Sequence, residues 1–242
     1  QYVPLSAHSP HCRRRPESTL GGRFDFPPRT EPMHSVRRAL IAALEAVKRR
    51  NLEIGNPALS DRVSIITFDS LAGGGPVVRQ PLTADLDLAM RTCSRLQAAG
   101  DREAGSAMDA GMEMAHRHLR PKNEGGQGRR AAKKVVVLLA ACPPGTCQTD
   151  RSEIVQFMLA HPSRELYAHG PGRYNAPLVS AARMHARGWR VYPVAVGAQD
   201  HHDFFDRLAR IGGTGSSCGQ TVPPSADTTD SKRQLVDVLT GI

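Results

Sequence analysis

Aromatic residues are scarce: Phe, Trp and Tyr make up 5% of the 242 residues. Modules that bind nucleic acid usually pair positive charge with stacking rings or a reading helix, and the rings are missing here. Long apolar runs are also absent. None approaches the roughly 18 residues needed to span a bilayer, and the first thirty residues hold no signal-peptide core. The chain is therefore expected to be soluble as it stands. It opens on Gln1 rather than Met, so a leader or anchor in a native precursor stays open. Cysteines are few, odd in number and irregularly spaced (Cys12, Cys93, Cys142, Cys147 and Cys218). They form no disulfide framework, and a lone Cys-x4-Cys without a second pair is a poor zinc signal. The redox compartment stays undecided.

Basic charge is plentiful. With 40% hydrophobic and 23% charged residues, the chain reads as globular and able to bury a sizeable core in one large domain. Lys and Arg exceed Asp and Glu by nine, which favours an acidic partner. The cations cluster at Arg13 to Arg15, Arg37-Arg38, Lys48 to Arg50, Arg129-Arg130 and Lys133-Lys134. These clusters sit at loops and element ends, mostly without neighbouring rings. A solvated basic surface is the reading, and no specific nucleic-acid binding is expected.

The chain is organised around Lys133 to Pro144. Five large apolar residues, Val135 to Leu139, follow two lysines and end in small residues and a double proline. So short and β-branched a run reads as a strand buried on both faces, as in the centre of a parallel sheet. Ligand chemistry in such sheets sits beyond the strand's carboxyl end, here Ala140, Ala141 and Cys142. That tip carries no charge.

Residues 1–32 show no period of either kind and read as an irregular or disordered lead-in. From Met33, the residues Val36, Leu40, Ile41, Leu44 and Val47 recur at helical spacing, with Arg37, Arg38, Glu45 and Lys48 on the other face. Residues 62–68 read as a strand, followed by the loop from Asp69 to Pro76. Residues 77–80 read as a short edge strand ended by Pro81. Thr83 is placed to cap a helix running to Gly100. A further helix spans 107–119, with Met108, Met112, Ala115 and Leu119 inward. After the central strand come helices at 152–160 and 176–187, the second with Leu178, Ala181, Ala182 and His185 in register. A buried strand follows at 189–196. A short helix at 203–211 stops at Gly212-Gly213. Residues 214–229 read as polar and loose, and 231–239 as a closing helix. Strands alternating with helices imply an open, mostly parallel, doubly wound α/β sheet with helices on both faces.

The order of these segments resembles the von Willebrand factor type A (vWA) domain. The resemblance rests on Arg62-Val-Ser-Ile-Ile-Thr-Phe, Val78-Arg-Gln-Pro-Leu-Thr-Ala-Asp, Lys134-Val-Val-Val-Leu-Leu, Gly188-Trp-Arg-Val-Tyr-Pro-Val-Ala-Val-Gly and Leu208-Ala-Arg-Ile-Gly-Gly. It covers residues 33–242, leaving 1–32 outside. The nearest flavour is similar to bacterial surface proteins of tight-adherence pilus assembly. The resemblance implies a Rossmann-like fold and a non-catalytic, adhesive, protein-binding role at the cell envelope or outside the cell. It also implies a Mg²⁺ site built from an Asp-x-Ser-x-Ser on the first central strand, a Thr in a later loop and an Asp after the fourth strand. Hard cations take such hydroxyl and carboxylate oxygens.

In this chain the implied metal site is degenerate. No Asp-x-Ser-x-Ser precedes the first helix, and no apolar run there supplies the strand that carries it. Ser106 falls where the family has Thr. Ala140-Ala141-Cys142 replaces Thr-Asp-Gly. The residual metal position is Ser106 alone, and this chain is expected to bind no ion there. The candidate binding residues of the tip loops are Ser106, Asp69, Asp101 and Cys142. Asp109, in the same helix start, reads as a cap or a solvated charge.

Other motifs carry less. Gly215-Ser-Ser-Cys-Gly219 satisfies Gly-x-Ser-x-Gly but follows a helix, whereas a nucleophile elbow needs a strand before it. Asp200-His201-His202-Asp203 places neighbours that do not share a helix face, and Asp200 reads as an N-cap. The same applies to His116 and His118. Cys142 is either a small residue filling a vacated metal pocket or a reactive thiol at a helix start. Two other function classes stay in view: an intracellular scaffold subunit of an ATP-driven complex, and a thiol-dependent enzyme at Cys142.

Overall fold

The computed structural model describes residues 17–19, 22–24, 32–68, 75–96, 106–140, 142–196, 202–215 and 221–222. Within them the chain is a mixed α/β protein. The elements are β1 (Glu17–Thr19), β2 (Gly22–Phe24), α1 (Pro32–Ile54), β3 (Val63–Thr67), β4 (Val77–Thr83), α2 (Leu86–Ser94), α3 (Met108–Leu119), β5 (Val135–Ala140), α4 (Arg151–Ala160), α5 (Gly172–Ala186), β6 (Arg190–Val196), α6 (His202–Ile211) and β7 (Thr221–Val222). They divide between two compact units. One comprises Gln1–Ile65, Val78–Gly100 and Pro224–Ile242, the other Ile66–Val77 and Asp101–Pro223.

The first unit packs α1 and α2 with β3. Ile41, Leu44, Ala89, Cys93 and Leu96 form its buried cluster, with Leu40, Val63, Ile65 and Met90 against it. Burial pushes the Cys93 thiol up to about 12, so it behaves as a small hydrophobe. The inward line of α1 is not quite the expected one. Arg37 is buried and its guanidinium donates to the Leu96 carbonyl. It stands at i with Ile41 at i+4 and Leu44 at i+7, so helical geometry brings it inward despite its charge. At the far end of α1, Asn51 Nδ2 donates to the Asp61 carbonyl at 3.0 Å, and Asp61 N–H donates back to Asn51 Oδ1 at 2.7 Å. This pair fixes the turn into β3.

Two local expectations fail nearby. β4 pairs with β3 and runs through Pro81 to Thr83. In a two-stranded sheet the missing N–H of proline can face away from the ladder, so Pro81 does not end the strand. The N-cap of α2 is Asp85 rather than Thr83: its carboxylate accepts from Leu88 N–H at 2.9 Å, while Thr83 Oγ1 accepts from Asp85 N–H. The lead-in read as irregular holds the antiparallel pair β1–β2. Gly100 and residues 231–239 lie outside the described residues.

The second unit is built on β5, β6 and β7 in that spatial order, with both pairings parallel. Val135 lies opposite Arg190 and Ala140 opposite Ala195. A parallel pair needs a long crossover, which α4 and α5 supply. Contrary to the sequence reading, β5 is buried on one face only. Val136, Leu138 and Ala140 are buried, whereas Val135 is 46% and Val137 38% exposed. The buried face joins Met108 and Met112 of α3, Leu178 and Val179 of α5, and Phe204, Phe205 and Leu208 of α6 in one core.

The loop before β5 is closed by Lys134. Its buried ammonium donates to the carbonyls of Arg129 (2.6 Å), Arg130 (3.1 Å) and Ala132 (2.7 Å). α5 begins at Gly172, earlier than expected, and carries Pro177 inside it. Its inward residues are Ala176 to Ala181 and Met184, while His185 is exposed. Two glycines end helices in the left-handed region, as expected for the second. Gly188 (φ 76°) follows α5 and Gly213 (φ 78°) follows α6. In each case the next residue, Trp189 or Thr214, donates back to the last helical turn, giving the two-bond stop that favours glycine. Thr214, read as loose, is buried with its hydroxyl donating to the Val191 carbonyl at 2.6 Å. Val191 belongs to β6, so the helix stop is tied to the sheet.

Candidate functional site

The site follows from where the chain goes after β5. The strand ends at Ala140 and continues as the loop 142–150 before α4 opens at Arg151, capped by Asp150. This loop lies against the start of α3. Ser106 forms a parallel bridge with Pro144, and its carbonyl accepts from Gly145 N–H at 3.2 Å. The hydroxyl of Ser106 is buried and has no hydrogen-bond partner among the described residues.

The other anchor is Asp109. It is neither a cap of its own helix nor a solvated charge, which corrects the sequence reading. Only 1% exposed, it turns Oδ2 toward the loop and accepts three hydrogen bonds at 2.8 Å, from Gln148 N–H, Thr149 N–H and Thr149 Oγ1. A carboxylate accepting several donors beside a helix N-terminus is well compensated even when buried. Oδ1 has no partner among the described residues. The signal for this role was present in the sequence. Asp109, Met112 and His116 stand at i, i+3 and i+7, and all three are buried, so Asp109 belongs to the helix's inner stripe.

Of the candidates read from sequence, Ser106 is brought to the loop that follows β5, and Cys142 lies in that loop with its side chain exposed. Asp69, Asp101 and Ala141 lie outside the described residues. Cys142 and Cys147 are free thiols. Burial, and then the Asp109 charge, raise the Cys147 thiol above its ordinary value, which works against a thiolate there.

Among the described residues, the donors gathered at the tip do not by themselves make up the shell of a divalent cation. Mg²⁺ asks for about six oxygens at short range. Here Ser106 offers a neutral hydroxyl and Asp109 has one oxygen committed to three donors. No group of three or more His, Cys, Asp or Glu able to hold a metal occurs among the described residues.

The remaining motifs resolve into structural roles. His116 is buried with its ring edge-on to Trp189, centroids 4.9 Å apart. A hydrogen bond from His116 is the main reason the Glu113 carboxyl lies below its ordinary value. Asp203 accepts from Arg207 Nε and from Tyr167 OH at 2.9 Å. Burial pushes its carboxyl up, but the bonds from Arg207 and Tyr167 outweigh that and leave it below its ordinary value. Asp200, His201 and the segment 216–219 lie outside the described residues.

No family model matches the chain, and no curated protein matches it in sequence. Solved structures do match. The pilus adhesin SpaC from Lactobacillus rhamnosus GG aligns with a TM-score of 0.53 and 15% identity over 86% of this chain, and in its open conformation with a TM-score of 0.50 and 14% identity. The chain spans 28% of the SpaC chain. The vWF domain of the type V pili tip protein Mfa5 from Porphyromonas gingivalis aligns with a TM-score of 0.49 and 12% identity, over 86% of this chain and 90% of that one. At these identities the likeness to SpaC shows the fold alone: the chain folds like a portion of that adhesin.

Proposed function

We propose that this chain is a non-catalytic protein-interaction domain of the vWA type, used in adhesion at a bacterial surface, whose sheet-tip loop is held by a carboxylate latch in place of a metal ion. The observation that carries this reading is Asp109. It gives the loop 142–150 a fixed position from within the protein, whereas a metal-dependent tip would be organised by the ion. The partner is a protein with an acidic surface, matched to an excess of nine basic side chains. The contacts are made by the tip loops, with Cys142 exposed among them. In this reading the family's first central strand has no counterpart.

Calorimetric titration with MgCl2 and with MnCl2 tests the metal-free tip. No saturable heat is expected, and chelator should leave thermal melting unchanged. Ala141→Asp alone should not create binding, because the missing Asp-x-Ser-x-Ser half is not restored. Retention on immobilised polyglutamate should persist in chelator and weaken with added salt. Saturable Mn²⁺ binding abolished by Ser106→Ala, or retention that requires a divalent cation, would overturn the proposal.

A further inference from the structure

We infer that Arg173, in the first turn of α5, is the group that receives a carboxylate side chain of the acidic protein partner. The inference rests on the reading of a protein-binding tip and names the residue that does the binding. Arg173 stands beside that tip. A Cβ at Gly172 would lie 3.6 Å from Ile154 Cδ1, so the start of α5 abuts the first turn of α4, just past the loop 142–150. The loop also feels the guanidinium: burial and the Asp109 charge raise the Cys147 thiol, and Arg173 works against them. The residue itself is exposed.

A neighbouring pair shows what ligand such a group takes. Arg207 of α6 lies over the Tyr167 ring, 4.4 Å from its centroid, and its Nε donates to the two oxygens of Asp203 at 3.0 and 2.9 Å. Tyr167 OH donates to the same carboxylate at 2.9 Å. Arg173 repeats the first half of this arrangement. Its guanidinium lies over the Tyr174 ring, 5.6 Å from the centroid, and that ring is held edge-on by Tyr167 and Phe204 at 5.8 and 5.7 Å.

The second half is missing. Arg183, Arg207 and Arg210 of the same two helices pair with Glu153, Asp203 and Glu165, whereas no carboxylate pairs with Arg173 among the described residues. The acids nearest in the loop are already engaged, Asp109 by Gln148 and Thr149 and Asp150 by Ser152. The carboxylate that completes the arrangement therefore comes from another molecule. A guanidinium stacked on a fixed ring has given up part of its freedom, yet keeps N–H edges for a planar acceptor. A carboxylate fits that fork.

Anisotropy of a labelled oligoglutamate peptide, titrated with the full chain in chelator at physiological ionic strength, tests the inference. Wild type should bind saturably. Arg173→Ala should weaken binding about tenfold or more, the loss expected on breaking a hydrogen-bonded charge pair. Arg173→Lys keeps the charge but not the stacked fork, so it should recover only part of that affinity. Lys133→Ala removes the same charge at the opposite end of β5 and should weaken binding less than about twofold. Phenylglyoxal mapping on wild type requires no variant: the peptide should shield Arg173 and leave Arg190, at the far end of β6, as reactive as before. Inorganic phosphate should compete no better than sodium chloride of equal ionic strength. Equal losses in Arg173→Ala and Lys133→Ala, an Arg173 that stays reactive under saturating peptide, or specific displacement by phosphate would each overturn this inference alone. A wild type that does not bind the peptide, or binds it only with a divalent cation, would overturn the proposed function with it.

Discussion

Removing the carboxylate of Asp109 should release the tip loop from α3, and the structure sets the size of the effect. Asp109 holds three donors at 2.8 Å from a position that is 1% exposed. Hydrogen bonds to a charged group contribute about 1.5–3 kcal/mol each when judged singly, but they are not additive within one carboxylate. The freed donors are also cheap to rehydrate, since Gln148 is exposed and Thr149 half-buried. For Asp109→Ala this argues for a loss of about 2–4 kcal/mol, the usual range for breaking a buried polar network. Asp109→Asn should cost only about 1 kcal/mol, because its carbonyl can still accept from the loop while the charge is lost. Urea unfolding would measure both. Hydrogen exchange at Gln148 and Thr149 supplies a local readout, expected to accelerate strongly in the alanine variant and modestly in the asparagine one. If Asp109→Ala unfolds within about 0.5 kcal/mol of wild type, the spread seen for ordinary surface substitutions, and both amides exchange as before, the latch is not what positions the loop.

Two further outcomes follow from the same geometry. Burial holds His118 below its ordinary value of 6.5, so the folded state resists its protonation. Stability from this group is full above the unfolded value and declines as pH falls through and below 6.5, and Glu113, also depressed, adds a loss at more acidic pH. Urea midpoints measured downward from pH 8 should fall with a slope that His118→Gln reduces near pH 6; an unchanged slope would refute the assignment. Gly213→Ala should destabilise more than Gly188→Ala. Both sit at positive φ, but an added Cβ meets nothing at Gly188, whereas at Gly213 it would lie 2.4 Å from His185 Nδ1. The shared backbone strain is about 1–2 kcal/mol, and equal melting temperatures for the two variants would show that His185 simply moves aside.

Elements with a strong period were legible from the residues alone. The Met108–Met112 stripe of α3, the apolar run of β5 and the double-glycine stop after α6 all stand where the pattern puts them. What failed was local competition. Asp85 outbid Thr83 for the cap because it stands immediately before the first helical residue. Arg37 went inward because its position on α1 outweighed its charge, with a carbonyl there to receive it. The sequence of β5 reads as two-faced because an unbroken apolar run does not reveal how many neighbours a strand has; that depends on the partner strand, which local pattern cannot supply. The same limit hid Asp109: its partners lie in a loop about forty residues later, and only the helical stripe hinted that it faced inward.

The ammonium of Lys134 also changes how the chain's charge should be counted. It is buried against three carbonyls, and the guanidinium of Arg37 is likewise enclosed. Both contribute to the formal total of +9, yet neither presents its charge to an approaching surface. Of the adjacent lysines just before β5, only Lys133 faces solvent. Salt reaches exposed charges and largely spares enclosed ones. The ionic-strength dependence of binding to an acidic surface will therefore report a smaller effective valence than the sequence total, and replacing Lys133 will weaken such an encounter while replacing Lys134 will loosen the loop before β5.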